Sequence, residues 1–88
     1  MDYNEFEKAV DMFGILTRVS KKDLKKKYLK LSKKYHPDMP DGSTEKFIEL
    51  KKNYEILLAY MDSYYYSFDK EEFKHQFPAF TNYKNWMK

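Results

Sequence analysis

The chain has 88 residues, a formal net charge of +3 and no cysteine. A single small domain is expected, and the missing thiols exclude disulfides, zinc–thiolate sites, iron–sulfur clusters and cysteine nucleophiles. The first residues lack a basic segment followed by an apolar run, and no apolar stretch approaches the roughly 20 residues of a membrane-spanning helix. The sequence therefore predicts a soluble protein and favours the cytoplasm.

Three helices are predicted from apolar side chains that recur at helical spacing. They cover residues 3–13, 21–34 and 44–61. Gly14 ends the first helix, and Ser20 opens the second as the first residue of a capping box. The apolar stripes are Phe6, Val10 and Phe13 in the first helix, Leu24, Tyr28, Leu31 and Tyr35 in the second, and Phe47, Leu50, Tyr54, Leu57, Leu58 and Met61 in the third.

A loop is required between the second and third helices. Pro37 and Pro40 disfavour helical geometry at the residues before them, and the pair Asp41–Gly42 is typical of a turn. Because this connection is short, the two helices should be antiparallel neighbours. The predicted fold is all-α: an antiparallel helical hairpin with the short first helix packed across it.

The positive charge is concentrated in residues 18–34. This segment holds one arginine and eight lysines against a single acid, a net charge of +8, which leaves −5 for the rest of the chain. Such a face is commonly no more than a solvated helix surface. A one-sided basic surface can also steer an acidic partner and raise its association rate.

The C-terminal segment, residues 63–88, is rich in aromatic side chains. Its aromatic density is too high for a typical disordered linker, so we expect it to pack at least partly on the helical core. Asp69 begins a possible capping box for a short helix that extends to about Phe77 and is closed by Pro78.

The tripeptide His36-Pro37-Asp38 is the one compact group of reactive side chains. No serine or cysteine nucleophile stands beside it, no GxxxxGK phosphate loop occurs, and no second histidine lies at metal-ligand spacing. A calcium loop is disfavoured because Pro40 interrupts the ligand positions and the bidentate glutamate is missing. We therefore expect no catalytic residue, no metal and no cofactor. Alone, the tripeptide would be most simply a helix-terminating loop.

Four segments together resemble the J-domain family, which is named for DnaJ. They are Lys27-Tyr28-Leu29-Lys30-Leu31-Ser32-Lys33-Lys34-Tyr35-His36-Pro37-Asp38, Met12-Phe13-Gly14-Ile15, Lys46-Phe47-Ile48-Glu49-Leu50 and Asn53-Tyr54-Glu55-Ile56-Leu57. The resemblance covers roughly residues 5–61. It divides the chain into a J-domain at 1–62 and an aromatic-rich extension at 63–88.

The resemblance implies a function as a co-chaperone. J-domains dock on the ATPase domain of a DnaK-type chaperone and stimulate its ATP hydrolysis, so the chain itself would not be an enzyme and would act as a monomer. The partner-binding residues implied in this way are His36, Pro37, Asp38, Tyr28, Lys25, Lys30, Lys33, Phe47 and Lys51. Core packing is the alternative role for Tyr28 and, more strongly, for Phe47.

The sequence departs from the family pattern at several points. Leu29 stands where many members have a second basic residue, which would weaken one contact. Asn53 replaces the usual alanine before the tyrosine of the third helix, which would loosen the packing. The family's fourth helix is not recognisable after Met61, and a glycine/phenylalanine-rich linker and a CxxCxGxG zinc region are missing. The chain is therefore not a full DnaJ, and client binding of its own is not expected.

The competing interpretation is a small basic nucleic-acid-binding helical domain whose lysines contact phosphates. Such binding would depend on counterion release and be largely independent of sequence. The lysine strip lacks the Asn and Gln side chains that read base edges, so specific nucleic-acid binding is not expected.

Overall fold

The computed structural model describes residues 1–80, which fold into four α-helices and a short 3₁₀ turn, with no strand among them. The elements are α1 (Tyr3–Phe13), α2 (Lys21–Tyr35), α3 (Thr44–Asp62), α4 (Lys70–Gln76) and the 3₁₀ turn Pro78–Phe80. Helices α2 and α3 form the hairpin, and α1 packs against both. The predicted all-α fold is confirmed, and the bounds of the first three helices differ from prediction by at most one residue.

The ends of α1 and α2 follow the local chemistry that the sequence indicates. Gly14 adopts a left-handed conformation with φ 62°, and its N–H donates to the Asp11 carbonyl at 3.1 Å. Glycine takes this conformation without the steric cost that a Cβ would add. At the start of α2, the Ser20 hydroxyl accepts from the Asp23 N–H at 3.1 Å, and the Asp23 carboxylate accepts from the Ser20 N–H. The capping box is thus confirmed with aspartate in the third position.

The core lies where the three apolar stripes meet. Its buried apolar side chains are Ala9, Phe13, Leu24, Leu50 and Leu57. Beside them, Tyr54 of α3 stacks on Tyr28 of α2 with ring centroids 4.1 Å apart and planes within 9°. The ring centroid of Phe13 in α1 lies 6.1 Å from that of Tyr54. The Tyr54 ring therefore contacts both other helices. Every residue of the predicted stripes except Phe47 belongs to this core or packs against it.

An ion pair closes the end of the hairpin that is remote from the connecting loop. The Lys21 ammonium at the start of α2 donates to the Asp62 carboxylate at the end of α3. This hydrogen bond, together with the negative charge of Asp62, raises the pKa of Lys21 above its ordinary value. Both side chains are well exposed, so the pair aligns the helix ends more than it stabilises the fold.

Asn53 is the one buried polar residue of the described core, at 5% exposure. Its Nδ2 donates to the Met12 sulfur of α1 at 3.0 Å. The looser packing expected from the replacement of alanine is not what the structure has, because the longer side chain is buried and bonded to the neighbouring helix.

The extension contacts the hairpin at a few points. The Tyr64 ring meets Tyr60 of α3 at 6.0 Å, and the Arg18 guanidinium lies 3.8 Å from Glu72 of α4. Tyr65 and Phe68, in contrast, are each 95% exposed. The aromatic count thus overstates how much of the extension packs on the core. Tyr83 and Trp86, which belong to the same expectation, lie outside the described residues.

Helix α4 begins at the predicted cap. The Asp69 carboxylate accepts from the Glu72 N–H at 2.9 Å and from the Ser67 hydroxyl at 2.7 Å. Both bonds favour the charged form, and they lower the pKa of Asp69. The division of the chain at residue 62 stays a prediction.

We expect Met12→Leu to lower the free energy of unfolding by about 1–2 kcal/mol, because the buried Asn53 amide loses its acceptor. The matched control is Met61→Leu. Met61 is also half-buried in the core, its sulfur accepts no hydrogen bond from the described residues, and the swap conserves volume. Urea denaturation of both variants provides the measurement.

A double-mutant cycle tests the contact directly, with the single variants Met12→Leu and Asn53→Ala and the double variant Met12→Leu/Asn53→Ala. The double variant should lose less stability than the two single changes added together, by about 0.5–1 kcal/mol. Additive losses would mean that Asn53 and Met12 do not interact.

Candidate functional site

The connecting loop, residues 36–43, forms the apex of the hairpin. His36 leaves the helix with φ −57° and ψ 137°, the extended geometry that a following proline requires. The loop ends where the Ser43 hydroxyl accepts from the Lys46 N–H at 3.0 Å, so Ser43 caps α3. His36, Pro37 and Asp38 are all exposed. The tripeptide therefore stands at the surface, outside both helices.

The imidazole of His36 is oriented by the loop itself. Its Nδ1 accepts from the Asp38 N–H at 3.2 Å, and the Asp38 carboxylate lies 3.6 Å from the same nitrogen. A neutral imidazole that accepts at Nδ1 carries its proton on Nε2. Within residues 1–80, Nε2 has no hydrogen-bond partner. The ring can therefore donate outward, and the 91%-exposed Asp38 carboxylate can accept a cation beside it.

A phenyl ring from α3 supports the imidazole. Phe47 meets His36 edge to face, with ring centroids 5.8 Å apart and planes at 81°. Phe47 is half-buried, so part of the ring remains accessible. Phe47 is not among the side chains that pack against the buried core, and its ring contact is with the exposed imidazole.

Tyr35, the last residue of α2, is flanked by two ammonium groups. Lys34 Nζ lies 5.4 Å from the centre of the tyrosine ring, and Lys46 Nζ lies 5.6 Å from it. Both distances are within the range of a cation–π attraction. Two positive charges are thereby held beside the loop, one from each helix of the hairpin.

Three lysines of α2 lie on the side opposite the core. Lys25, Lys30 and Lys33 are exposed, and at 100° per residue they span the face that points away from buried Leu24. Leu29, half exposed, lies among them and interrupts the charge. The α2 lysine strip, defined as Lys25, Lys30 and Lys33, leads along the helix towards the loop.

Two further residues implied by the resemblance lie at different depths. Tyr28 is half-buried because one face of its ring covers Tyr54, so it contributes to the core. Lys51 is exposed on α3. The hairpin therefore presents the tripeptide, Phe47 and the α2 lysine strip on connected elements, and Tyr28 belongs to surface and core at once.

A groove of about 730 Å³ lies near the opposite end of the hairpin. Its lining includes Phe6 and Ile15, Leu57 and Met61 near the end of α3, and Tyr64 of the extension. None of the partner-binding residues implied by the resemblance lines this groove. The groove is thus separate from the tripeptide.

Residues 1–80 contain no group of three His, Cys, Asp or Glu side chains arranged to hold a metal ion. None of the helices in this range combines the length and the apolar character needed to cross a bilayer.

A helical hairpin with His-Pro-Asp at its exposed apex and a lysine-lined flank has the architecture of a J-domain. The DnaJ domain model matches residues 10–62, which is more than half of the chain. This chain therefore belongs to the DnaJ domain family.

Two relatives illustrate the extent of the similarity. Protein SIS1 of Saccharomyces cerevisiae is 46% identical over 50 residues, which cover 57% of this chain and 14% of SIS1. The chaperone protein DnaJ of Staphylococcus aureus is 49% identical over 49 residues, which cover 53% of this chain and 13% of that protein. The match is therefore a small part of either relative. No solved structure matches the chain.

The structure adds residues that the sequence did not single out at the site. Lys34 was noted within the basic segment and Lys46 within a resemblance segment, and their common contact with Tyr35 depends on the hairpin register. Tyr54 was recognised as part of an apolar stripe, and its place beneath Tyr28 was not. Gly42 was interpreted as a turn residue only.

We expect Tyr28→Ala to lower the free energy of unfolding by about 2 kcal/mol, because it removes half-buried area and the stack on Tyr54. Tyr28→Phe keeps the ring, and should stay within about 0.5 kcal/mol of the parent. Leu29→Ala, at the exposed neighbouring position, is the control for truncation on α2. If urea denaturation gives Tyr28→Ala the stability of the parent, the ring does not contribute to the core.

Proposed function

We propose that this protein is a J-domain co-chaperone that docks on a DnaK-type chaperone, the 70 kDa heat-shock class, and stimulates its ATP hydrolysis. The observation that carries the proposal is the exposed His-Pro-Asp apex beside a basic helix, in a chain that belongs to the DnaJ domain family. The hydrolysis would take place in the partner, with this chain as a non-catalytic, cofactor-free monomer. Residues 1–62 would be the J-domain and 63–88 an extension.

The proposed contacts divide by their physical role. The α2 lysine strip and Lys51 would attract an acidic surface of the partner, which mainly accelerates docking. Asp38 would pair with a partner cation in a charge-assisted hydrogen bond. The exposed part of Tyr28 and of Phe47 would add apolar area at the edges of the contact.

His36 and Pro37 would set the geometry of the apex. The intramolecular bond at Nδ1 leaves Nε2–H as the outward donor of the imidazole. Pro37 restricts its own φ and the conformation of His36, so the loop loses little entropy on docking. A rigid donor next to a free carboxylate is suited to recognising one specific polar group pair on a partner.

We expect His36→Gln to abolish stimulation of a DnaK-type ATPase in single-turnover assays, because glutamine cannot reproduce the oriented ring. His75→Gln is the matched control, since His75 is an exposed histidine in α4, away from the apex. Circular dichroism of both variants should match the parent.

The same variant tests the competing nucleic-acid function, which the +8 charge of residues 18–34 favours. Stimulation by His36→Gln equal to that of the parent would refute the co-chaperone proposal. Tight, salt-sensitive binding of a duplex by parent and variant alike, without ATPase stimulation by either, would favour nucleic acid instead.

We expect the double variant Lys30→Ala/Lys33→Ala to raise the concentration for half-maximal stimulation by about fivefold at low ionic strength, with a smaller effect at high salt. The double variant Lys8→Ala/Lys70→Ala removes the same charge from exposed positions outside α2 and should behave like the parent. Equal effects of the two double variants would attribute steering to net charge alone.

A further inference from the structure

Gly42 lies directly against the backbone of the signature tripeptide. A Cβ on Gly42 would be 1.7 Å from the His36 carbonyl oxygen, 2.6 Å from the His36 carbonyl carbon and 2.9 Å from the Tyr35 oxygen. All three are far inside van der Waals contact. They are also backbone atoms, which cannot rotate aside as a flexible side chain could. Any larger residue at this position must therefore displace the peptide unit that follows His36.

Hydrogen bonds across the loop hold these atoms together. The His36 carbonyl accepts from the Met39 N–H at 2.9 Å, and the Met39 carbonyl accepts from the Gly42 N–H at 2.9 Å. The Ser43 N–H then donates to the Tyr35 carbonyl at 3.3 Å. The Tyr35 carbonyl before His36 and the carbonyl of His36 itself are thus both held by N–H groups from later in the loop.

The two glycines of the chain are needed for different reasons. Gly14 has a positive φ of 62°, and a Cβ there would meet nothing within 4 Å. Gly42 does not have a positive φ, and its requirement is space alone. The pair therefore offers a matched comparison, in which one alanine substitution strains a helix end and the other moves the loop.

We infer that Gly42 is a positioning residue for His36. By lying against the Tyr35 and His36 carbonyls, it sets where the imidazole and the Asp38 carboxylate stand relative to the α2 lysine strip. The inference rests on the proposed co-chaperone function and deepens it, because it assigns the geometry of the apex to a residue that itself offers no side chain to the partner.

The test compares Gly42→Ala, Gly14→Ala and His36→Gln in the ATPase assay, over a range of domain concentrations. Gly42→Ala should keep the helical circular dichroism of the parent. Its maximal stimulation should fall about tenfold or more, since a misplacement of about 1 Å can cost that much. Its half-maximal concentration should stay within about threefold of the parent, because the lysines still steer docking.

Gly14→Ala should show the opposite pattern. Its melting temperature should fall by about 5 °C, because alanine is strained in the left-handed conformation, while full stimulation is retained. Parent-like stimulation by Gly42→Ala would overturn the inference. A rise in its half-maximal concentration at unchanged maximal rate would overturn it too, since the defect would then lie in docking.

The His36→Gln arm separates the two claims. If His36→Gln abolishes stimulation and Gly42→Ala does not, only the positioning role fails. If His36→Gln stimulates like the parent, the proposed function fails. Should Gly42→Ala not fold, hydrogen exchange of the parent decides: the Met39, Gly42 and Ser43 amides must be protected, and exchange at the rates of an unstructured peptide refutes the closed loop.

Discussion

The stack of Tyr28 on Tyr54, with Leu24 and Leu50 buried beside it, is the contact on which the rest of the structure depends. It fixes the register of α2 against α3, and Phe13 brings α1 to the other side of Tyr54. Register matters because the connecting loop has only eight residues. A shift of α2 along α3 would change the span of the loop and thus the conformation of the tripeptide.

In this register, the cations at the base of the hairpin are paired with acids, and among the described residues the lysines of α2 nearer the loop are not. Near the base of the hairpin, Lys21 pairs with Asp62, and Arg18, just before the helix, pairs with Glu72. The lysines nearer the loop form no ion pair within residues 1–80. Like charges spaced three or four residues apart on a helix repel, at a cost of about 0.2–0.5 kcal/mol per pair. The core contact offsets this repulsion.

The sequence predicts what depends on local chemistry and period. Helix bounds follow from apolar spacing and caps, and the loop follows from Pro37 and Pro40. Three features depend instead on which atoms meet across the fold. They are the approach of Gly42 to the His36 carbonyl, the burial of Asn53 against Met12, and the exposure of the extension rings between residues 64 and 77. The site residues came from family resemblance rather than from spacing, so the structure gives their positions and leaves their roles to experiment.

The residues of the apex and Tyr28 differ in how far a substitution would change stability as well as function. The apex is held by backbone hydrogen bonds, by Gly42 and by the edge of Phe47, none of which belongs to the fully buried core. Its geometry can therefore change while the hairpin remains folded. Tyr28 is the exception, because one ring face covers Tyr54 and the exposed part borders the α2 lysine strip. A loss of activity on truncating Tyr28 would mix both effects. A loss in a folded variant of His36 or Gly42 would report on the apex alone.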